Sequence, residues 1–464
     1  MRAWDAQQIA VLTGAELIRE GSPHGEEPGP RGVVLDSRRI TPGALFIGIP
    51  GQREDGGAHA AAALEDGAWG VLARPEHATG ACADGRGGTV LAHPEPLLAL
   101  QVLARAWREQ LVAAGASVIG VTGSTGKTST KDILAALLAP FGTVAASPEN
   151  LNTEIGLPLA ILAAPPDTRT LVLEMAMRGP GQIAELTELA DPDVGVIVNV
   201  GHAHLELLGS LENIAAAKAE LIAGLRPGRS IVVPACEALL EPHLRDELET
   251  ITFGPQGDVQ LISRLEDGEV LIGASGMEIR LHPSFEQAHH LSNLLAAVAA
   301  ARALGHTPSG PLEVVFSAMR GQRADVGEGV LMIDDCYNAN PMSMRAAIDD
   351  LTETARGRPV AVLGDMLELG PGAAELHREI GRHARARGVE LLVSVGPLGA
   401  EIAAGFGGES RSVPDAPAAA ELLPGLLRGG DTVLLKASRG VGLERVAEAL
   451  RAAGPLAGAV PGQN

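Results

Sequence analysis

Lysine is almost missing from this 464-residue chain: there are four, against thirty-two arginines. Arginine replaces lysine wherever a solvated positive charge suffices, so a surviving lysine suggests a position that needs a compact amine able to lose its proton. Chance survival would scatter the four over surface helices. Instead Lys127 and Lys131 share one short string, Lys218 sits in A-A-K-A-E at 216–220, and Lys436 closes an apolar run. Tyrosine is scarcer still, with Tyr337 alone. The three cysteines, Cys82, Cys236 and Cys336, have neither metal-ligand spacing nor the even count of a disulfide framework, which reads as a reducing compartment and small core residues. No basic region followed by an apolar core opens the sequence, so no secretory signal is expected and the cytosol is the expected location. The apolar stretch 294–304 is broken by Arg302 and falls short of the ~20 residues that cross a bilayer, so no membrane segment is expected. A net charge of -21 disfavours general binding to nucleic acid, which needs an electropositive surface.

What is present is a long alternation of short apolar runs with amphipathic alanine- and leucine-rich stretches. At roughly 100–200 residues per domain the length suits two to four domains, and three is the working number. Runs at 118–122, 171–174, 195–200 and 230–233, and again at 330–334, 359–364, 390–395 and 431–436, predict strands of two parallel sheets covered on both faces by helices. Residues 258–281 alternate in polarity around Asp267-Gly268 and predict antiparallel hairpins extending the first of these sheets. His93-Pro-Glu-Pro96 and the linker-like G-H-T-P-S-G-P at 305–311 suggest boundaries, giving units 1–95, 96–309 and 310–464. The fold class expected is α/β: a small α/β N-terminal domain, a central parallel-sheet domain of the P-loop ATPase kind, and a C-terminal Rossmann-like α/β domain. The Gly/Pro-rich stretch 21–30 reads as a loop and 454–464 as a frayed tail.

The strand at 118–122 runs into Gly123, Ser124, Thr125 and Gly126, and a helix follows from Lys127 through Leu138. Strand, glycine turn and helix in that order make a phosphate cradle. Backbone amides converge on phosphate oxygens, Lys127 reaches the terminal phosphates, and the Thr128 hydroxyl can ligate Mg²⁺, with Ser129 beside it. Val121 stands where a strict G-x-x-x-x-G-K-[ST] string has its first glycine. The variant T-G-S-T-G-K-T is similar to that of the ATP-dependent Mur ligases and their folylpolyglutamate synthetase relatives. That resemblance implies ATP and Mg²⁺ as cofactors.

The resemblance extends along nearly the whole chain. E-N-L-N-T-E-I-G-L-P at 149–158 resembles the family's asparagine-rich segment, with Asn152 and Thr153 as implied substrate or metal neighbours. Glu174 closes a buried strand beside the phosphate loop, where a metal ligand should lie, and resembles the family's Mg²⁺ glutamate. The string N-x-x-x-A-H-L-E at 199–206 puts His204 at the family's metal-associated histidine. Lys218 resembles the lysine that several members carry as a carbamate, an anionic oxygen ligand that arginine cannot imitate; a plain ion pair with Glu174 or Glu220 is the alternative. Asn293, in H-H-L-S-N, resembles the adenine-contacting residue and can offer a purine both a donor and an acceptor. An arginine from the third domain is implied on the γ-phosphate; in M-R-G-Q-R at 319–323 Arg323 is favoured over Arg320.

I-D-D-C-Y-N-A-N-P at 333–341 is the most discriminating string. It resembles the branch of the family that adds D-alanyl-D-alanine to a UDP-N-acetylmuramoyl-tripeptide, and G-D-M-L-E-L-G at 364–370 agrees. The implied contacts are Tyr337, Asn338, Asn340, Asp365 and Lys436 for substrate and Asp335 for the ribose. L-D-S-R-R at 35–39 resembles a uridine-nucleotide domain, with Ser37 and Arg38 at the diphosphate. The implied reaction passes through an acyl phosphate in peptidoglycan precursor synthesis. Catalysis falls to Lys127, Lys218, His204 and the third-domain arginine, with closure of the third domain onto the second. A monomer is the default. The neighbouring ligase that adds diaminopimelate or lysine is the alternative, disfavoured by Y-N-A-N-P, and a nucleotide-gated binder would have little use for Lys218, His204 and Glu174 together.

Overall fold

The structure, a computed structural model, describes residues 4–21, 28–83, 87–148 and 150–453. Most of the loop expected at 21–30, Glu149, and the tail from 454 lie outside the described residues. Among the described residues the chain forms three sheets in succession. In the first, Thr89–Ala92, Gly70–Ala73, Leu45–Ile47 and Val33–Val34 run parallel in that order, and Glu16–Arg19 pairs antiparallel on the free edge of Thr89–Ala92. Trp4 meets Trp107 edge-on at 5.8 Å, which ties this unit to the helix Pro96–Ala113 of the next.

The central sheet begins with seven parallel strands in the order Val144–Ala146, Thr170–Glu174, Ser117–Thr122, Val194–Ile197, Ser230–Pro234, Glu249–Phe253 and Val259–Arg264. Its middle strands are buried along their length apart from Ser117 at one end, as apolar runs flanked by helices on both faces must be. Val270–Ala274 and Met277–Pro283 continue it antiparallel, the hairpins expected at 258–281. Gly310–Leu312 then adds a parallel edge strand. The third sheet, Gln322–Asp325, Leu331–Asp334, Thr432–Lys436, Pro359–Gly364, Leu391–Val395 and Ser410–Val413 in spatial order, is parallel except for its first strand.

Two expectations shift. The boundary set between 309 and 310 cuts through the central unit, because Gly310–Leu312 pairs with Met277–Pro283 and the sheets change between Leu312 and Gln322; Pro311 is tolerated there because an edge strand has no use for its missing N–H. The strand expected to run to Val200 stops at Ile197, where Asn199 leaves the sheet to hydrogen-bond the phosphate loop.

Helix Ala288–Ala303 buries eleven of its sixteen residues, mostly alanine and leucine, against the central sheet and the helix Lys127–Leu138. Its small side chains let it approach closely, which brings Asn293 down onto the phosphate loop. The carboxyl ends of the parallel strands in the central and third sheets face a common cavity of about 920 Å³, the place where open α/β sheets bind ligands. No helix among the described residues is long and apolar enough to cross a membrane.

Candidate active site

The phosphate loop is shaped from both sides. Gly126 takes φ +75° at the start of helix Lys127–Leu138, and a Cβ there would lie 2.6 Å from Asn293 Oδ1. Glycine is therefore required twice over, by dihedral and by space. From below, the Asn199 Oδ1 accepts the amides of Ser124 and Thr125 at 3.1 and 2.9 Å, and its Nδ2 donates to the Thr125 carbonyl at 3.1 Å. Lys127 Nζ donates to the Gly123 carbonyl at 2.7 Å. Burial lowers the Lys127 pKa, opposed by the Glu174 carboxylate and reinforced by the Arg320 charge. A cation held at this desolvation cost, at a helix N-terminus, is stabilised by an arriving anion.

Next to the loop lies Glu174, 2% exposed. Its Oε1 accepts from Asn152 Nδ2 at 2.8 Å, and its Oε2 is buried without a partner. Lys218, on helix Leu211–Gly224, is 1% exposed and sits behind the cavity wall. The ion pair weighed for it is not formed: among the described residues it pairs with neither Glu174 nor Glu220, whose carboxylate instead accepts the amides of Gly181 and Ala184. Burial first, and the Lys127 charge second, hold the Lys218 pKa well below the lysine range. His204 lines the cavity with φ +60°, its Nδ1 against Glu368 Oε2 of the third domain. Burial lowers its pKa against the pull of Glu368.

These groups suit a hard divalent cation. Among the described residues no three His, Cys, Asp or Glu converge as a self-sufficient metal centre. A Mg²⁺ here would draw on Glu174, His204, the Thr128 hydroxyl and phosphate oxygens, in keeping with its habit of few protein ligands. The unpartnered Glu174 Oε2 supplies the donor such an ion requires.

The third domain forms the opposite wall. Asp335, Tyr337, Asn338, Asn340 and Lys436 all line the cavity. Lys436 Nζ is held by Asp335 Oδ2 at 2.6 Å and the Asn338 carbonyl at 3.0 Å. Asn340 caps helix Pro341–Thr354 by accepting from the Ser343 amide. Met342, two residues on, puts its sulfur 3.5 Å from Thr125 Oγ1, so the third domain touches the phosphate loop.

Arg320, and not Arg323, reaches that loop. The Arg320 guanidinium lies 4.0 Å over the Tyr337 ring and donates to Thr128 Oγ1 at 3.2 Å. Arg323 donates to both carboxylate oxygens of Asp350 and to Thr354, and does not line the cavity. Asp365 is a second correction: it is buried, accepts the Gly399 amide at 2.7 Å, and serves a turn rather than the cavity. Ser37 and Arg38 also lie outside it; Arg38 is exposed and clasped by Asp36, whose pKa its hydrogen bonds draw down to about 2. Ser124, Thr125, Gly126, Thr128, Ser129, Asn152, Thr153 and Asn293 line the cavity, whereas Gly123 forms the loop from behind. Asn199 and Glu368 stood in quoted strings without an assigned role. Their signal was only position, each in a segment following a parallel strand.

Fold and site together define an ATP-dependent ligase, with a phosphate loop on the central sheet facing the third sheet across a shared cavity. Residues 121–301 match the Mur ligase middle domain and 319–439 the Mur ligase glutamate ligase domain. The chain belongs to the Mur ligase family, whose members are ADP-forming peptide ligases. It is 38% identical to the UDP-N-acetylmuramoyl-tripeptide–D-alanyl-D-alanine ligase of Mycobacterium tuberculosis over 96% of each chain. To the enzyme of the same name from Bacillus subtilis it is 36% identical over 94% of this chain and 97% of that one. The MurF ligase of Thermotoga maritima, solved in complex with ADP, superposes with a TM-score of 0.75 at 31% identity, covering 91% of this chain and 97% of the other.

Proposed function

We propose that this enzyme joins D-alanyl-D-alanine to the terminal carboxylate of a UDP-N-acetylmuramoyl-tripeptide, with ATP as the energy source. The reaction class rests on one observation above the others: a buried, unpartnered carboxylate oxygen on Glu174 beside a desolvated Lys127 at a phosphate loop. The substrates rest on the full-length likeness to ligases of that name. Lys127 and Arg320 would neutralise the transferring γ-phosphoryl group. A new O–P bond forms to the peptide carboxylate as the bond to ADP breaks. The dipeptide amine then attacks the acyl phosphate, a C–N bond replaces the C–O bond, phosphate leaves, and the amine sheds a proton. No covalent nucleophile on the protein is needed.

Mg²⁺, held by Glu174, His204 and Thr128, would supply charge neutralisation at the phosphates. Burial favours the uncharged form of the Lys218 amine; adding CO₂ to that form would make an N–C bond, release one proton and turn the side chain into an anion behind that site. Asn293 would meet the adenine and Asp335 the ribose. Tyr337, Asn338, Asn340 and Lys436 would face the peptide, with Asn152 and Thr153 on the opposite wall. Residues 1–95 would seat the uridine nucleotide, with Ser37 and the exposed Arg38 at its diphosphate. Closure of the third domain onto the second would keep water from the acyl phosphate. The reading places the enzyme in the cytoplasm as a monomer in cell-wall precursor synthesis, with no nucleic-acid partner.

The test is phosphate release with ATP, Mg²⁺ and the UDP-linked tripeptide, comparing acceptors. Release with D-alanyl-D-alanine and not with single amino acids is expected; release with diaminopimelate or lysine on the UDP-linked dipeptide would transfer the chain to the neighbouring branch.

A further inference from the structure

The loop Asp365–Gly370 belongs to the third domain, lines no part of the cavity, and nonetheless meets the metal-side wall. Glu368 Oε2 lies 2.5 Å from His204 Nδ1, and the Glu368 carbonyl accepts the Glu206 amide at 3.0 Å. Both partners of this contact hold the left-handed backbone region, His204 at φ +60° and Glu368 at φ +62°. Non-glycine residues adopt that region at a cost, and they keep it where the surroundings over-determine it. Gly370 completes the fit: a Cβ there would come 3.3 Å from the Glu206 backbone.

We infer that Glu368 is a positioning residue that acts across the domain boundary, fixing the orientation and tautomer of His204 so that the metal site is complete only when the third domain is docked. The inference rests on the reading of His204 as a metal neighbour. A histidine that binds a cation commonly gives its other ring N–H to a carboxylate, which sets the ring plane and leaves the remaining nitrogen as the donor. Here the carboxylate holds Nδ1, and His204 lies within electrostatic reach of Lys127 and Lys218. Its Nε2 is then the nitrogen available to the cavity. Because the carboxylate and the imidazole come from different domains, cation binding and closure become linked: each favours the other by the same factor.

The experiment is Mn²⁺ binding to the full-length protein saturated with ADP, read by the electron paramagnetic resonance of free Mn²⁺, for wild type, Glu368→Ala, Glu368→Asp, His204→Ala and the double variant. Glu368→Ala is expected to weaken Mn²⁺ by about tenfold or more, with partial recovery in Glu368→Asp. In the His204→Ala background the loss of Glu368 should add nothing, which a merely structural role in docking would not produce. Unchanged affinity in Glu368→Ala, or an equal further loss in the double variant, overturns the cross-domain role while leaving the metal reading of His204 intact. Unchanged affinity in His204→Ala overturns both. Thermal unfolding of each variant separates these outcomes from misfolding.

Discussion

The two walls of the cavity treat polar groups in opposite ways. On and behind the central-domain wall they are left wanting: among the described residues Glu174 Oε2 has no partner and the buried Lys218 has no counter-ion, and Lys127 is desolvated at the loop. On the third-domain wall they are satisfied, Lys436 by Asp335, Asn340 by Ser343, and Asp350 by Arg323 from behind the wall. Unsatisfied buried groups cost stability, and a ligand that completes them recovers that cost on binding. The first wall is therefore organised to bind a charged ligand. The second is organised to hold its own shape while presenting a face. Arg320 bridges the two, with its guanidinium over the Tyr337 ring and its donor on Thr128.

The contrast predicts where substitutions will be felt as chemistry and where as stability. Lys127→Ala should give the largest effect, a fall in kcat of about 10³-fold from the loss of a preorganised cation at the phosphates, with unfolding little changed or shifted upward. A kcat within tenfold of wild type would mean that the desolvated lysine is not the catalytic cation. The two arginines then divide along the same line. Arg320→Ala should lower kcat by about 10²-fold with a small change in stability. Arg323→Ala should leave kcat within a few-fold and destabilise by about 2 kcal/mol, because it strands the largely buried Asp350 carboxyl. Burial already raises the pKa of that carboxyl despite Arg323. Steady-state kinetics with urea unfolding would read both; an exchange of the two phenotypes would reinstate Arg323 as the phosphate arginine.

Lys218 sharpens the contrast through pH. Its pKa is depressed in the folded protein, so below the ordinary lysine value of 10.5 the unfolded chain binds the proton more tightly and folding loses stability as pH falls through that value. Lys218→Met removes the penalty. In CO₂-depleted buffer at neutral pH its melting temperature should exceed that of wild type by about 2 °C or more, the difference closing above pH 10.5, while ligase activity is lost. Equal melting curves at neutral pH would mean that the buried amine already has an anionic partner.

Much of this was legible in the sequence, and unevenly so. The central wall could be read because its chemistry lies within contiguous strings at strand ends: the 123–129 loop, Glu174 and His204 each follow a run whose burial fixes where it stops. The third wall could not be read to the same depth. Arg320 and Arg323 are three residues apart, and which one reaches the loop is decided by Ser317, whose amide donates to Asp132 at 2.8 Å, and by the Tyr337 ring, both tertiary contacts. Asp365 has the look of a site carboxylate at a strand end, yet the start of helix Gly399–Phe406, beyond the next strand, supplies the Gly399 amide that consumes it. The same applies to the boundary at 309/310, where linker composition concealed an edge strand whose pairing lies some thirty residues upstream.

The smallest effect tests the third wall at its most ambiguous residue. Asn340 both lines the cavity and caps helix Pro341–Thr354, with the reciprocal Ser343 bond completing a capping box. If its work is mainly local, Asn340→Asp and Asn340→Ser keep the cap and should hold stability within a few tenths of a kcal/mol, whereas Asn340→Ala should cost about 1 kcal/mol. The KM for the dipeptide separates the roles. A capping residue leaves KM unchanged in all three once the protein is folded. A KM that rises in Asn340→Asp and Asn340→Ser, with stability preserved, would show that the amide itself faces the substrate and that this wall is less self-contained than its hydrogen bonds suggest.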